Sequence, residues 1–448
     1  MDAATPSGSS PLRRTVAGGP RATVGAHVAL AFGAVVLLTA WSGASAQTNW
    51  NVSSGNWSDA NSWTAGEPDA NTGAAIDNGG TATINQTGEV CAYLSLGTGS
   101  SDSGTVNMGS GTLEANTVHV GYAGTGAFTQ SGGTHAVGVH LYAGIDSTSS
   151  GTYELQDGNL NVAKAEWYGV AGTGAFTQSG GTHTVGTILC LGQASTGSGT
   201  YDLQDGNLHV SQWTLLGVSG AGQFTQSGGT HTIGVNLLLG YDPNASGTYD
   251  LQDGNLYVGG SVYVGGSDIA ARGTGTVTVT GGTMTVGGTV RVWSSGTFNL
   301  GNGTLAPDSA DPNLRVDIEN DGLFRVTAGS HTVGHVVSID ANILGTTQLD
   351  ANTSLSVSMI VQDTLTIGAG ATLTIRGCDD TIGLMDGLSI GGDDLQLDVG
   401  SLSNQSCVLG PDGGETPIPE PAALALLALG GLALIRRGRK VCLMEARS

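Results

Sequence analysis

One string recurs at a fixed interval along this chain. Phe-Thr-Gln-Ser-Gly-Gly-Thr-His begins at Phe128, Phe176 and Phe224, with a period of 48. A second string, Leu-Gln-Asp-Gly-Asn-Leu, follows Tyr153, Tyr201 and Tyr249 by two residues, at the same interval. The two are halves of a finer pattern. A nine-residue offset from an aromatic to a β-branched residue joins Phe128 to Val137, Tyr153 to Val162, Phe176 to Val185, Tyr201 to Val210, Phe224 to Ile233 and Tyr249 to Val258. It carries on from Val277 to Val286 and from Phe324 to Val333, whereas Phe298 meets Pro307, so that coil is altered. Val106 opens an earlier, diverged copy. The unit is therefore about 24 residues, used in two alternating flavours.

A unit of that size holds two or three short strands between glycine turns. Gly supplies 76 of 448 residues and the repeats are rich in β-branched Thr and Val, which excludes helices. One coil cannot bury both of its faces, but stacked coils can. The expected fold is all-β: a right-handed parallel β-helix or β-solenoid of about 24-residue coils in 48-residue double repeats. Roughly ten to twelve coils would stack at the ~4.8 Å strand spacing. An antiparallel sandwich or a propeller is the runner-up, but half-period identity fits four-stranded blades poorly. Gly does not fall on every third residue, so collagen is excluded. Only 11% of residues are charged and apolar residues alternate, unlike a disordered polyelectrolyte. The net charge of -22 excludes nucleic acid as a partner.

Both ends read as processing signals. Arg13, Arg14 and Arg21 precede an apolar run from Val28 to Ala40, then Ala44-Ser45-Ala46. This is a charged region, a short apolar region and a small-residue cleavage site, so residues 1–46 read as a secretory signal cut after Ala46. At the other end Pro419-Glu420-Pro421 precedes an apolar run from Ala422 to Ile435, and Arg436, Arg437, Arg439 and Lys440 follow as a basic stop. The fourteen apolar residues are short for a permanent span of a ~30 Å core.

This arrangement of three elements resembles the PEP-CTERM sorting signal, also described as an ice-binding-protein C-terminal domain. The resemblance covers about the last thirty residues, with eight more, from Val441 to Ser448, than such tails usually carry. It implies recognition of Pro419, Glu420 and Pro421 by an exosortase, a membrane transpeptidase. It also implies transient insertion in the inner membrane, removal of the tail, and display on the surface of a Gram-negative bacterium that makes exopolysaccharide. The domain reading is then 1–46 signal, 47–100 N-terminal cap and first strands, 101–345 solenoid repeats, and 346–409 last coils and cap. Residues 410–421 are linker with the Pro-Glu-Pro motif, 422–435 the membrane segment and 436–448 the basic tail. From Leu365 the alternating Leu-Thr-Ile-Gly-Ala-Gly-Ala-Thr-Leu-Thr-Ile reads as a last strand pair.

Candidate chemistry is sparse. Trp50, Trp57 and Trp63 read as an aromatic plug over the open end of the core rather than a sugar platform. Cys378 and Cys407 flank a polar stretch and are placed to staple a cap by a disulfide. His135, His183 and His231 lie on alternate coils, ~9.6 Å apart, too far to share one metal ion. Strand alternation turns them inward beside Val137, Val185 and Ile233, as packed and hydrogen-bonded histidines. Gln130, Gln178 and Gln226 also point inward, and each is expected to bond its own histidine or the turn backbone. Asp157, Asp205 and Asp253 sit in Asp-Gly-Asn, which is turn chemistry, and the Gly-Gly-x-Gly-x-Asp calcium repeat is absent, so Ca²⁺ is the one cofactor kept open, and weakly.

The body from Gln47 to Ile435 has six Lys or Arg and 34 Asp or Glu, and its coils hold no unrepeated acidic cluster. A polysaccharide-degrading β-helix enzyme is therefore the third reading, and the chain is expected not to be an enzyme. The first reading is an exported structural solenoid of the cell surface or extracellular matrix, with exosortase and exopolysaccharide as partners. The second is an ice- or glycan-binding solenoid. Thr182/Thr184 and Thr230/Thr232 favour it, while Asn207/His209 and Asn255/Tyr257 on the same face oppose it.

Overall fold

The computed structural model describes residues 46–311, 314–339, 345–375, 382–390 and 396–399. They form a parallel β-solenoid of about 13 coils, somewhat more than the repeat count alone predicts, with no α-helix among the described residues. A complete coil has three strands, shown by Thr173–Gln178, Thr182–Val185 and Ile188–Leu191, and the next coil repeats them as Ser198–Leu203, Asn207–Val210 and Trp213–Leu216. Strands therefore stack into three ladders, called here the first, second and third faces in chain order. Equivalent residues pair coil to coil: Phe176 with Tyr201, His183 with Leu208, Val185 with Val210 and Leu191 with Leu216. On the first face Thr125, Ser150, Thr173, Ser198, Ala221 and Ser246 stack in one column, at sequence separations that alternate between 25 and 23. The two flavours thus differ in length, and only their sum is constant.

The glycine content follows from the corners. Gly181, between the first and second faces, has φ +66 and stacks over Gly158 at φ +86. A Cβ there would lie 2.5 Å from the Gly158 carbonyl oxygen of the preceding coil. Gly192, leaving the third face, has φ +73, and a Cβ would lie 2.1 Å from the Ala221 carbonyl oxygen. Positive φ and backbone closer than side chains permit make glycine the only residue without strain there, and stacking repeats the demand from coil to coil until Trp293 takes the slot of Gly265.

Between corners the strands alternate. In Thr173–Gln178 every second residue is buried, ending in Phe176 and Gln178. The columns Phe128-Tyr153-Phe176-Tyr201-Phe224-Tyr249 and Val137-Val162-Val185-Val210-Ile233-Val258 are at most 1% exposed, so the nine-residue offset does mark two inward ladders. The core is closed at its first coil by Trp50, Trp57 and Trp63, all buried, with both outer rings edge-on to Trp63 at 4.9 Å. Trp63 also donates its indole N–H to the Trp57 carbonyl at 2.7 Å. Their contacts are with core and with each other, as expected of a plug.

One local expectation is corrected. The alternating run from Leu365 does supply two strands, but they are not the last. Met359–Ile367 turns from the third face to the first, Thr372–Ile375 lies on the second, and both pair with further strands, Ile382–Ile390 and Gln396–Val399. Alternation marks strands but does not show where the stack of coils ends.

Val210 tests the register directly. Its side chain is fully buried between Val185 and Ile233. Val210→Asp places an unpaired carboxylate in that column and is expected to cost at least ~4 kcal/mol, as for other buried uncompensated charges. Denaturant unfolding followed by circular dichroism measures it; an unchanged midpoint would put Val210 outside.

Candidate functional site

The recurring Gln and His meet a third residue in the next coil. Gln178 and His183 are both wholly buried, on the first and second faces of one coil. Tyr201, stacked on Phe176 at 4.6 Å, brings its hydroxyl between them. The Tyr201 hydroxyl donates to Gln178 Oε1 at 2.6 Å and lies 2.9 Å from His183 Nδ1. Gln178 Nε2 reaches the Gly180, Gly181 and Asn207 carbonyls at 3.2–3.3 Å. The expectation of a direct Gln–His bond is therefore corrected. Gln does bond the turn backbone, but it reaches His only through tyrosine. The set repeats as Gln130, His135 and Tyr153, and as Gln226, His231 and Tyr249, with Tyr-to-Gln bonds of 2.7 and 2.6 Å and His-to-Tyr distances of 3.0 and 3.1 Å.

These bonds assign the protons. The tyrosine proton goes to Gln, so each histidine donates Nδ1–H to the tyrosine oxygen. Burial, ahead of the Glu166 and Tyr249 charges, pushes the Tyr201 phenol well above its usual range and keeps it a donor. Nε2 is then the free end, and here the copies differ. The slot seventeen residues earlier, on the third face, holds Glu166 for His183 and Thr214 for His231. Glu166 Oε1 is 2.7 Å from His183 Nε2, its other oxygen accepts from Tyr168 at 3.2 Å, and all three residues are wholly buried. Thr214 Oγ1 is 3.4 Å from His231 Nε2. The equivalent of Glu166 for His135 is Val118, in the same ladder column, and His135 Nε2 has no partner. Sequence reasoning missed the tyrosine, though its alternation with phenylalanine was a readable sign. It also missed Glu166 and Thr214, which share only the repeat interval.

A fourth histidine shows what the set requires. His331 stands seven residues after Phe324, as His183 does after Phe176, in a similar Ser-His-Thr-Val. Its coil has Val326 in place of Gln, and the next has Thr347 in place of Tyr. His331 is only partly buried and bonds the Ala328 carbonyl through Nε2 at 2.8 Å.

The outer side of the third face carries a stripe that sequence reading did not find. Its outward column runs His119, Tyr142, Trp167, Cys190, Leu215, Leu238, Tyr263 and Arg291. Tyr142 and Trp167 stack at 4.8 Å and 8°. Cys190, Leu215 and Leu238 are buried beneath Ile188, Trp213 and Tyr241 as a second apolar cluster. The stripe ends at Arg291, which lies 4.1 Å over Trp293 and donates to Asp321 at 2.6 Å and to Glu319 at 3.4 Å.

The other sequence candidates sort as follows. Asp157, Asp205 and Asp253 each accept from the next residue's N–H, on Gly158, Gly206 and Gly254, at 2.7 Å, as turn residues do. Among the described residues no three His, Cys, Asp or Glu side chains are grouped to hold a metal ion. Cys91 and Cys190 are buried free thiols, with burial pushing both upward. Ala44, Cys378, Cys407, Pro419, Glu420, Pro421, Arg436, Arg437, Arg439 and Lys440 lie outside the described residues. Ala46 is described, one residue before the first strand, Gln47–Asn49.

Two measurements check the buried set. Tyr201→Phe strands Gln178 Oε1 and His183 Nδ1, and a loss of ~2–4 kcal/mol is expected from two buried unmade bonds. A double-mutant cycle on Gln178 and His183 should show coupling with Tyr201 present and none in the Tyr201→Phe background; coupling that survives the change would mean a direct contact. The second measurement is pH dependence. Burial holds His135 down to about 3, and burial, then the His183 and His209 charges, hold His231 down to about 3. A histidine with a lowered folded-state pKa stabilises the fold fully above its unfolded value of ~6.5, and that stability is lost as pH falls toward 3. Unfolding free energy should drop by up to ~1.4 kcal/mol per pH unit per histidine between pH 6 and 4. Changing Gln130 to Leu, His135 to Leu and Tyr153 to Phe, as in the alternate flavour, should remove one such contribution. An unchanged slope would show that His135 is not held neutral.

Residues 417–440 match the PEP-CTERM protein-sorting motif. No curated protein and no solved structure matches the chain. The motif is the exosortase sorting signal, so the chain is an exported β-solenoid that passes through membrane-associated sorting.

Proposed function

We propose that the chain is a non-catalytic structural protein of the cell surface or extracellular matrix, a stiff spacer released or transferred by exosortase and held among exopolysaccharide. The observation that supports this most is the pairing of a sorting motif with a solenoid whose recurring Gln, His and Tyr side chains are turned into the core. Gln178, His183 and Tyr201 belong to the buried constellation that repeats among the described residues, Glu166 joins it in a single copy, and none of the four reaches solvent. A chain that commits these recurring Gln, His and Tyr residues to cohesion is suited to bearing load.

The alternatives have less support. For ice binding, the second face does place Thr182 and Thr184 outward, but Asn207 and His209 follow in the next coil and Thr230 and Thr232 in the one after. Side chains of different length and chemistry break a flat threonine array. For glycan binding, the third-face aromatics are half-buried, and Tyr142 and Trp167 turn their ring faces to each other, leaving edges outward. That arrangement seals a sheet better than it stacks on sugar rings.

Sorting is testable in a bacterium with an active exosortase. The surface-extracted protein, measured by intact mass, should lack residues 1–46 and everything beyond the Pro-Glu-Pro region. Glu420→Ala should hold the chain in the inner-membrane fraction. Surface material that retains Cys442, or normal release of the Glu420→Ala chain, would overturn the sorting half of the proposal.

A further inference from the structure

The second-face ladder breaks at one step. Strand Thr304–Pro307 pairs backward with Thr283–Val286, and Ser330–Thr332 pairs forward with Ser354–Val357, yet the two do not pair with each other. The same two coils stay joined on the other faces, where Phe298 meets Phe324 and Ile318 meets Val336. A cavity of about 290 Å³ opens at the break, with residues 302–305 on one wall and 329–333 on the other.

The cause is local. Pro307 occupies the slot of Val286 and brings no N–H. His331, without its Gln and Tyr, does not enter the core. The walls are therefore strand edges. Thr304 and Asp308 donate backward to Gly282 and Val286, at 2.9 and 3.0 Å. Strand alternation then turns Leu305 N–H and C=O, and the Pro307 C=O, toward the cavity. Val333 donates forward to Ser356 at 2.9 Å, so Thr332 N–H and C=O face back toward Leu305. Among the described residues, neither strand has a backbone hydrogen bond to the other.

We propose that this cleft binds an extended, uncharged polypeptide segment of another protein, which adds to Thr304–Pro307 as the next parallel strand. Alternating N–H and C=O groups along a strand edge are spaced for another backbone, the mode of β-strand addition. A sugar offers hydroxyls on one ring but no alternation at strand period. The cavity walls carry no Asp, Glu, Lys or Arg, in a chain of net charge -22. A neutral segment with alternating β-branched residues suits that wall, with its apolar side chains toward Leu305 and Val333.

The probe is a fluorescent peptide, Gly-Gly-Thr-Met-Thr-Val-Gly-Gly, the sequence of residues 281–288, which already pairs with Thr304–Pro307 from the other side. Anisotropy against the full chain should show saturable binding. The peptide is also made with N-methyl groups on every second residue, in both phases, and one phase should bind at least tenfold more weakly. Ser330→Trp, at an exposed position on the far wall, should weaken binding at least tenfold with an unchanged melting temperature. Absence of saturable binding, equal binding of both N-methylated phases, or indifference to Ser330→Trp would each overturn the proposal. So would a neutral glucan oligosaccharide that binds in the peptide's place and is lost in Ser330→Trp, which would give the cleft to sugar.

Discussion

Parallel backbone pairing between equivalent residues of consecutive coils is the constraint on which this structure rests. It satisfies the N–H and C=O groups of each coil with those of its neighbours, which a Gly-rich chain cannot do within a coil. Its weakness is register, because a slip of one residue turns every inward side chain out. The aromatic column guards against that slip. Its rings from Phe128 to Tyr249 lie 4.6–5.1 Å apart with interplanar angles between 4° and 13°, so ring spacing and strand spacing coincide. Each stacked pair adds ~0.5–1.5 kcal/mol beyond its buried area, and only in the correct register.

The column also explains why the true repeat is two coils rather than one. A tyrosine at every rung would need a Gln and a His before every rung. Three polar side chains per coil would then replace apolar ones throughout the core. Alternation gives each tyrosine one Gln and one His from the preceding coil and packs Leu155 and Leu160, or their counterparts, in the coil between. Every polar atom of Gln178 and Tyr201 is used, and the cost of burying them is met inside one two-coil unit. Where the next tyrosine and the glutamine are absent, as around His331, the histidine leaves the core and the second face opens.

Much of this was legible in the residues. The nine-residue offset marked both inward ladders, the threonine and asparagine columns fell on the expected face, and the three tryptophans closed the first coil. What stayed hidden depends on atoms that a one-letter pattern does not carry. The Gln–Tyr–His bridge crosses from one coil to the next, so it shows only once register is known. Glu166, Thr214 and Val118 occupy one slot with three chemistries, and no periodicity test unites them. The third-face stripe was obscured for a related reason. Its column changes residue type at almost every rung, from Tyr142 to Trp167 to Cys190 to Leu215, and keeps only an apolar character. Pro307 was a visible interruption, but that it would open a single face and leave two intact follows from the three-sided coil.

The alternation has an electrostatic consequence on the outside. The outward first-face column reads Thr129, Glu154, Thr177, Asp202, Thr225, Asp250 and Thr278. Acids occur only in the tyrosine flavour, as do Asp157, Asp205 and Asp253 at the adjoining corner. A single-flavour repeat would stack carboxylates at ~4.8 Å, where two charges in water repel by ~0.9 kcal/mol before screening. Two flavours set them ~9.6 Å apart, close to the Debye length of physiological salt, where most of that repulsion is screened. Gln204 and Gln252 each donate to the nearby Asp202 and Asp250 at 2.7 Å, which disperses the charge further. The coil that supplies the buried hydroxyl thus also carries the surface charge, and its partner separates both. The two-flavour coils from Phe128 to Tyr249 can stack in register because neither their Gln–His–Tyr groups nor their repeated carboxylates meet a copy of themselves on the adjacent rung.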